Sequence, residues 1–335
     1  MNRFEIGSEF WDVPLCDEES TIFPLSAKWF QSGRSAISFI IQDIKKKRHC
    51  SSVELPEWCC DSVILPFLKA GFNVRFYPVS LKNDTVDIKP FYESDIVFLI
   101  DYFGYNDGLT LFQDSESIVI RDITHSIFST NRMEADYYCG SVRKWCGLYT
   151  GGFAWASNDN FSSLSVSPVS EEYLSLRKQA MNEKKEYLSG KRRDKNYLNV
   201  FRRAEDILNC DFTVHASCSE DDINVKYLNS KWIIERRREN AQFILDNYKG
   251  RVLFQEIDKS NCPMFVPVLS TRRDQLRKYL AENRIYLPVH WPISSYHSIS
   301  VASQIFEQEI SIVCDQRYGI KDLEKMVSLL NTDFL

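Results

Sequence analysis

The chain has 335 residues, of which 44% are hydrophobic and 26% charged, the composition of a globular protein with room for one large domain and a smaller lobe. Its 41 basic and 46 acidic residues give a formal net charge of −5, which argues against nucleic acid as the main partner. No apolar run approaches the ~18 residues that a membrane span needs, and the N-terminus lacks a signal-peptide core, so we expect a cytoplasmic protein.

The first half of the chain alternates helical and strand-like segments. Apolar residues recur at helical spacing from Arg34 to about Lys47, and a short strand then ends at Pro56. Asp61 is placed to cap the next helix, and Gly71 is placed to terminate it. Further strands are predicted at 73–79, 95–103, 117–123 and 151–157. Several of them are apolar throughout, which favours an α/β fold with a mostly parallel sheet and helices on both faces.

The pattern changes from about Glu171. Long polar segments with helical spacing cover 171–188, 196–208 and 231–248. After Gly250 the pattern is mixed, with strands and helices predicted at 251–257, 264–269, 271–285 and 322–330. We therefore predict an N-terminal arm over residues 1–30, a large domain over 31–240 and a small C-terminal α+β domain over 241–335.

Ten cysteines are scattered along the chain without a CxxC pair. This spacing indicates neither a zinc site nor a disulfide framework, and no metal site is predicted. Buried free thiols are the expected state of these residues.

Four short motifs, in chain order, carry residues suited to chemistry. "SGRSAI" opens a helix, and "RDITHS" places Asp122 at the end of a strand, where open α/β sheets bind ligands. "GSVRKW" supplies a serine and Lys144, and the paired glycines Gly151 and Gly152 permit a tight turn. A lysine taken alone is more often a solvated charge, but the apolar setting of Lys144 and its order after Asp122 favour a nucleophile.

Together with "IGSEFW", "LPEWCCDSVILPFLKAG", "YLPVHWP" and "DQRYG", these motifs resemble the DegT/DnrJ/EryC1/StrS family of pyridoxal-phosphate (PLP)-dependent sugar aminotransferases. The resemblance covers most of the chain. It implies the aspartate aminotransferase fold (fold type I), PLP as cofactor and a homodimer with sites at the interface. The implied reaction transfers an amino group, from glutamate by analogy, to a nucleotide-linked keto-sugar in surface-polysaccharide or deoxysugar biosynthesis.

The resemblance gives catalytic roles to two residues and a contact role to a third. Lys144 would form a Schiff base with the cofactor aldehyde, for which its amine must be neutral. Asp122 would face the pyridine nitrogen, because a protonated ring withdraws electrons from the carbanion formed on the substrate. His125 matches the position that contacts the cofactor near its phenolic oxygen.

Phosphate and ring contacts are also implied. Arg34 and Ser35 begin a helix whose free N–H groups suit an anion, and the Ser141 hydroxyl could add a hydrogen bond. Ser141 lies closer to the lysine than in the commoner family pattern. The ring should be covered by a side chain that follows the proline-terminated strand. Trp58 is preferred over Cys60, because a flat ring offers more stacking contact than a thiol.

Candidate substrate contacts lie in the second half of the chain. His290, between two prolines, is a candidate substrate contact. In the related family a segment of the neighbouring subunit reaches the site. A substrate diphosphate could therefore meet the basic run formed by Lys191, Arg192 and Arg193. The segment 315–317 is expected to anchor the small lobe, and residues 235–240 are expected to be a helix surface.

Two alternatives to an aminotransferase remain. Sugar dehydratases of the same fold replace the lysine with histidine, and Lys144 argues against that reading. A regulatory or scaffolding protein could keep the fold without turnover, and the retained Asp122, His125 and Lys144 argue against it.

Overall fold

The computed structural model describes residues 5–82, 84–105, 116–158, 160–294, 296 and 303–332. Its strands are β1 (Ile6–Gly7), β2 (Lys28–Phe30), β3 (Ser52–Pro56), β4 (Asn73–Tyr77), β5 (Val79–Lys82), β6 (Thr85–Ile88), β7 (Ile96–Ile100), β8 (Ile118–Asp122), β9 (Tyr137–Ser141), β10 (Gly152–Ala156), β11 (Arg251–Val252), β12 (Phe265–Leu269), β13 (Ile285–Tyr286) and β14 (Glu309–Val313). Its α-helices are α1 (Gly33–Lys47), α2 (Asp61–Lys69), α3 (Glu171–Leu188), α4 (Tyr197–Cys210), α5 (Ser219–Lys226), α6 (Ser230–Asn247), α7 (Arg273–Glu282), α8 (Ser303–Gln308) and α9 (Ile320–Asn331). A 3₁₀ turn spans Val142–Lys144.

The central sheet confirms the predicted fold class. Its seven strands run in the order β2-β10-β9-β8-β7-β3-β4. The five strands from β9 to β4 are mutually parallel, while β10 and β2 are antiparallel to their neighbours. All five residues of β7 are buried, as expected for a central strand covered on both faces.

Two adjacent parallel strands place the predicted motifs at one edge of the sheet. In the register of β8 and β9, Asp122 pairs with Cys139. Both strands therefore end at the same edge, so that Asp122, Ser141 and the turn carrying Lys144 emerge together.

Helix α1 begins beside these strand ends. The side chain of Ser32 caps the helix by accepting a hydrogen bond from the Ser35 N–H at 3.2 Å. The predicted apolar face is buried, from Ala36 to Ile44. The burial of this face holds the N-terminus of α1 against β9 and β10.

The start of α2 differs in one detail from the prediction. Asp61 is the first residue of the helix and not its cap, and Cys60 occupies the cap position without a side-chain cap bond. An acidic residue in the first turn still complements the helix dipole. Gly71 has a φ of +79°, as predicted for a residue that terminates a helix.

A second hydrophobic cluster forms around the antiparallel sheet β11-β12-β14. It includes Ile6 from the N-terminal arm, because β1 pairs in parallel with β13. Helix α6 contributes Ile233 to the large core and Ala241 and Ile244 to the second cluster. The boundary predicted at 240/241 therefore falls inside a helix that joins the two cores.

Two further findings concern membranes and cysteines. Within the described ranges, no helix combines the length and apolarity required to cross a membrane. All ten cysteines are free thiols, and seven of them are buried.

Candidate functional site

A cavity of about 200 Å³ lies at the carboxyl edge of the central sheet. We call it the inner cavity. Its walls come from β8, β9, the N-terminus of α1, the start of α2, helix α4 and a loop of the C-terminal region. The polar and aromatic lining residues are Ser32, Arg34, Cys60, Ser62, Asp122, Thr124, His125, Cys139, Ser141, Arg143, Lys144, Glu205 and Trp291.

Asp122 lines the inner cavity and has no basic side chain bound to it among the described residues. Its Oδ1 accepts a hydrogen bond from the Thr124 N–H at 2.8 Å. Burial raises the pKa of Asp122 to about 6, although the Thr124 hydrogen bonds act in the opposite direction. A buried carboxyl without a counter-cation is stabilised by any cationic donor that enters the cavity.

The N-terminus of α1 provides donors on the cavity wall. Ser32, Gly33 and Arg34 line it there, together with Ser141 from the end of β9. The first N–H groups of a helix have no intrahelical partner and favour an anion. The buried Nε of Arg34 also has no hydrogen-bond partner within the described part of the chain.

The paired glycines allow this arrangement. A Cβ on Gly152 would lie 2.0 Å from the carbonyl oxygen of Ser32, so only glycine lets β10 approach the start of α1 this closely. Gly151 has a φ of +111°, which favours glycine.

The structure corrects the expected role of Ser35. Its side chain is buried, lies 3.3 Å from the Ser32 hydroxyl and does not line the inner cavity. Ser32, the cap residue, lines the cavity instead. The capping bond turns Ser35 into the helix, which the motif "SGRSAI" alone does not reveal.

Lys144 lies between the inner cavity and a larger one beside it. It ends the 3₁₀ turn that follows β9, it is exposed, and it lines both cavities. It has no hydrogen bond or ion pair with any residue in the described ranges. Its charge nevertheless lowers the pKa of Glu9 and of Glu205. Its amine is therefore accessible from both sides.

A cluster of charges surrounds the lysine. The Arg143 guanidinium lies 2.8 Å from Glu205, and Arg34 lies 3.9 Å from the same carboxylate. Burial favours the neutral form of Glu205, but Arg143, Lys144, Arg177 and Arg34 outweigh it and lower its pKa to about 2. Glu205 thus stays ionised and balances the positive charge near Lys144.

His125 lines both cavities together with Lys144. It is buried and accepts a hydrogen bond at Nδ1 from the Phe103 N–H at 3.3 Å. Burial and the Lys144 charge lower the pKa of His125 to about 3, so the ring is neutral. It stacks on Trp291 at 5.4 Å between ring centroids.

The preference for Trp58 as the ring cover is corrected. Trp58 is fully buried, stacks on Tyr102 with centroids 4.8 Å apart and lines neither cavity. Its indole N–H donates to the His290 carbonyl at 2.5 Å. Cys60, the alternative, lines the inner cavity. The short loop before α2 turns the tryptophan into the core and the cysteine into the cavity.

The larger space, which we call the outer cavity, measures about 610 Å³. This lies within the range of about 300–1,000 Å³ that is common for small-molecule sites. It shares His125, Arg143, Lys144 and Trp291 with the inner cavity. Its other polar and aromatic lining residues come from the arm, α4, α6 and the C-terminal region: Glu5, Ser8, Glu9, Phe10, Lys195, Tyr197, Arg237, Phe265, Tyr286, His290, Asp315 and Arg317.

His290 lines this outer cavity, as its candidate role requires. Its ring lies 5.3 Å from that of His125 and 4.9 Å from that of Phe265. Burial lowers the pKa of His290 well below 6.5, and His125 and Lys144 lower it further. The ring is therefore neutral at physiological pH.

Residues 315–317, expected to anchor the small lobe, contact the N-terminal arm and the large domain, and Asp315 and Arg317 also line the outer cavity. Arg317 pairs with Asp315 at 2.7 Å, donates to the Ser8 and Glu9 carbonyls and lies over the Phe10 ring. Gln316 donates to the Trp145 carbonyl at 2.6 Å. These contacts hold the arm and the segment that follows Lys144 in place.

The interpretation of 235–240 as a helix surface is wrong for Arg237 and Asn240, which are both buried. Arg237 donates to Gln316 and to the Met264 carbonyl, each at 2.8 Å, and lies over the Trp145 ring. Helix α6 packs between two cores, so one face of its middle is buried, while Glu235 and Glu239 on the other face are exposed.

The basic run lies outside both cavities of this chain. Lys191 and Arg193 are exposed. Arg192 lies within 4.0 Å of three carboxylates, those of Glu183, Glu186 and Asp194. A role in trans, across a dimer, remains a prediction.

Glu205, Arg143 and Trp291 belong to the site but were not identified from the sequence. Arg143 stands beside Lys144 and Trp291 beside His290, so the motifs contained them without distinguishing them. Glu205 lies on a polar helix with no motif of its own. Within the described residues, no group of three or more His, Cys, Asp or Glu side chains could hold a metal ion.

Comparison with known proteins gives a match at the level of fold. No protein-family model and no curated protein sequence matches the chain. Among solved structures, it is similar to Helicobacter pylori PseC, an aminotransferase involved in the biosynthesis of pseudoaminic acid, with a TM-score of 0.63, 14% identity, and 98% of this chain and 99% of that one covered. It is also similar to the sugar aminotransferase CalS13 from Micromonospora echinospora (TM-score 0.60, 14% identity, 92% and 87% covered). NtdA from Bacillus subtilis, solved with bound cofactor PMP, matches with a TM-score of 0.60, 12% identity, and 91% and 72% covered. These similarities confirm fold type I.

Proposed function

We propose that this protein is a PLP-dependent aminotransferase that acts on a sugar, with a nucleotide-linked keto-sugar as acceptor and glutamate as donor. The observation that carries the proposal is the position of Lys144 between two cavities. The inner cavity offers a carboxyl and a helix N-terminus, and the outer cavity has the size of a small-molecule site. The sugar aminotransferases that share the fold support the assignment.

The residues of the inner cavity fit the cofactor. Asp122 lacks a cationic partner among the described residues, and a protonated ring nitrogen would supply one. The Ser32–Arg34 segment, Ser141 and the unpartnered Nε of Arg34 offer donors for a phosphate. When bound, PLP supplies an aldehyde that accepts the amino group and a ring that withdraws electrons from the reacting carbon.

The residues of this chain then have separate tasks. Asp122, oriented by the Thr124 N–H, would keep the ring nitrogen of the bound cofactor protonated. Lys144 would hold the cofactor at its aldehyde carbon, and its amine would move a proton between the two reacting carbon atoms. The neutral His125 ring, stacked on Trp291, packs between the cavities without adding charge. Because Lys144 is accessible from both cavities, its amine can reach cofactor and substrate alike.

Substrate and partners follow from the same proposal. The sugar would enter the outer cavity, and the basic run of a second subunit would meet its diphosphate in a homodimer. Such an enzyme would serve surface-polysaccharide or deoxysugar biosynthesis in the cytoplasm.

The test uses purified protein supplied with PLP. We expect an absorbance band at the edge of the visible range. After borohydride reduction, peptide mass mapping should find the cofactor's mass on Lys144. Glutamate should convert the band to that of the amine form, and a nucleotide keto-sugar should restore it. A band without either conversion would indicate a scaffold that only retains the cofactor.

A further inference from the structure

A buried carboxyl is connected to the outer cavity through two hydrogen bonds. Glu309, the first residue of β14, is fully buried. The Ser311 hydroxyl lies 2.5 Å from Glu309 Oε1 and 2.8 Å from His290 Nδ1. The His290 ring lines the outer cavity, and its Nε2 has no hydrogen-bond partner within the described part of the chain. A chain of hydrogen bonds therefore runs from Glu309 in the core through Ser311 to His290 at the outer cavity.

The second oxygen of the carboxyl restricts where a proton can reside. Glu309 Oε2 accepts a hydrogen bond from the backbone N–H of His290 at 2.7 Å. A backbone N–H can only donate, so Oε2 must act as an acceptor. When Glu309 is protonated, its proton is therefore on Oε1 and faces Ser311.

The hydrogen-bond chain from Glu309 through Ser311 to His290 has two self-consistent patterns. With Glu309 ionised, the Ser311 hydroxyl donates to Oε1 and must accept from His290 Nδ1–H, which leaves Nε2 as a bare acceptor. With Glu309 protonated, Oε1–H donates to Ser311, Ser311 donates to Nδ1, and Nε2 carries the hydrogen. The patterns differ by one proton. When Glu309 ionises, the proton on His290 Nε2 leaves into the cavity. The carboxyl proton moves to the Ser311 oxygen, and the Ser311 proton moves to His290 Nδ1.

We propose that Glu309 is a positioning residue which, through Ser311, decides which ring nitrogen of His290 carries the proton. The outer cavity then presents a hydrogen-bond donor while the carboxyl is protonated and an acceptor once it is ionised. The donor form suits a carbonyl or carboxylate oxygen of the ligand. The identity of that ligand rests on the proposed function, whereas the tautomer of His290 does not.

The groups that face this hydrogen-bond chain place the change of the His290 tautomer near pH 8. Burial raises the pKa of Glu309 to about 8, against the lowering effect of the Ser311 and His290 hydrogen bonds and of Arg273 and Arg277 on α7. From the cavity side, His125 and Lys144 disfavour a charged His290. At physiological pH the donor form is therefore the main one, and His290 stays neutral in both forms.

Nitrogen NMR of histidine-labelled, full-length protein tests this proposal directly. The chain contains five histidines, and a His290→Gln spectrum assigns the signal. In the wild type we expect Nε2–H below about pH 8 and Nδ1–H above it, because the tautomer follows the carboxyl. In Glu309→Gln, the amide oxygen must accept from the His290 N–H, so its NH₂ group donates to Ser311. This variant should keep Nε2–H at every pH.

Two further variants make the test specific. Ser311→Ala removes the relay, so the His290 tautomer should lose its change near pH 8 even though Glu309 still titrates. Glu307→Gln, at an exposed position two residues away, should behave as the wild type. A single wild-type tautomer across the pH range, or a change that persists in Glu309→Gln, would overturn the proposal. Should Glu309→Gln not fold, Ser311→Ala decides the question.

Kinetic measurements then identify which of the two substrates offers an oxygen to His290. The KM of each half-reaction is compared below and above pH 8, with the amino acid or the keto-sugar as substrate. The half-reaction whose substrate meets His290 should weaken about two- to tenfold at high pH in the wild type, the cost of one neutral hydrogen bond. It should not weaken in Glu309→Gln. Equal KM values in both proteins for both substrates would disprove the ligand contact. Absence of turnover would disprove the proposed function and leave the NMR result standing.

Discussion

The inner and outer cavities differ in how their walls are assembled. Most of the inner wall comes from strand ends and a helix start, each within a short motif around Ser32, Asp122 and Lys144. The outer wall combines segments from Glu5 to Arg317, which lie more than three hundred residues apart in sequence. The inner cavity therefore depends on the register of one sheet. The outer cavity depends on how the arm, α6 and the small lobe pack together.

The strongest test of this division is a substitution at Lys144, one of the four residues that line both cavities. Lys144→Ala should abolish transamination, by at least the ~10²–10⁴-fold that loss of a general acid–base group costs. The far-ultraviolet spectrum and melting temperature should hardly change, because Lys144 is exposed and fills no core volume. Steady-state kinetics measure the effect, with the exposed Lys185→Ala as control. Near-normal turnover in the Lys144 variant would mean that another lysine holds the cofactor.

A second substitution affects the inner cavity alone. Asp122→Asn should keep the shape of the site and lower kcat about ten- to a hundredfold, since a hydrogen bond to a charged group contributes about 1.5–3 kcal/mol. A neutral amide cannot keep the ring nitrogen protonated. Stopped-flow absorbance should show both half-reactions slowed, while the exposed Asp206→Asn leaves them unchanged. An unaltered rate would indicate that Asp122 faces away from the ring.

Near the outer cavity, the buried carboxyl of Glu309 should make the free energy of unfolding depend on pH. The pKa of Glu309 rises from its ordinary 4.5 to about 8 in the folded protein. The folded state thus holds a proton that the unfolded state releases. The resulting stabilisation is complete below about pH 4.5 and is lost as the pH rises through about 8, by at most ~1.4 kcal/mol per pH unit.

Denaturant titrations can measure this loss. Between pH 5 and 8 the free energy of unfolding of the wild type should fall relative to that of Glu309→Gln by about 1–3 kcal/mol. The Glu307→Gln control should run parallel to the wild type. If the curves of the wild type and of Glu309→Gln stay parallel, the carboxyl titrates normally in the folded protein.

The smallest effect is expected from the basic run, outside both cavities. Neutralising Lys191, Arg192 and Arg193 should raise the KM for the sugar nucleotide a few-fold and leave the amino-donor half-reaction unchanged. The effect should shrink with added salt, because exposed charges are screened beyond ~10 Å at 0.1 M. Equal weakening of both half-reactions would point to a damaged fold, and no change would identify the run as a solvated surface.

The sequence by itself determined the fold class and the centre of the inner cavity. Apolar strands, a capped helix and paired glycines act over a few residues. Their positions at one sheet edge follow from parallel register, so Asp122, Ser141 and Lys144 could be placed together in advance. The same local reasoning failed where one turn decides which of several neighbouring side chains faces inward. This is why Ser32 replaces Ser35 on the cavity wall, and Cys60 replaces Trp58.

Only the tertiary structure decided the rest of the site. Glu205 reaches Arg143 from a separate helix, Arg237 is buried because α6 joins two cores, and Glu309 reaches His290 through Ser311. None of these side chains has a sequence signal of its own. Their pairing depends on contacts between distant segments, and the desolvation that changes their pKa values exists only after those segments pack.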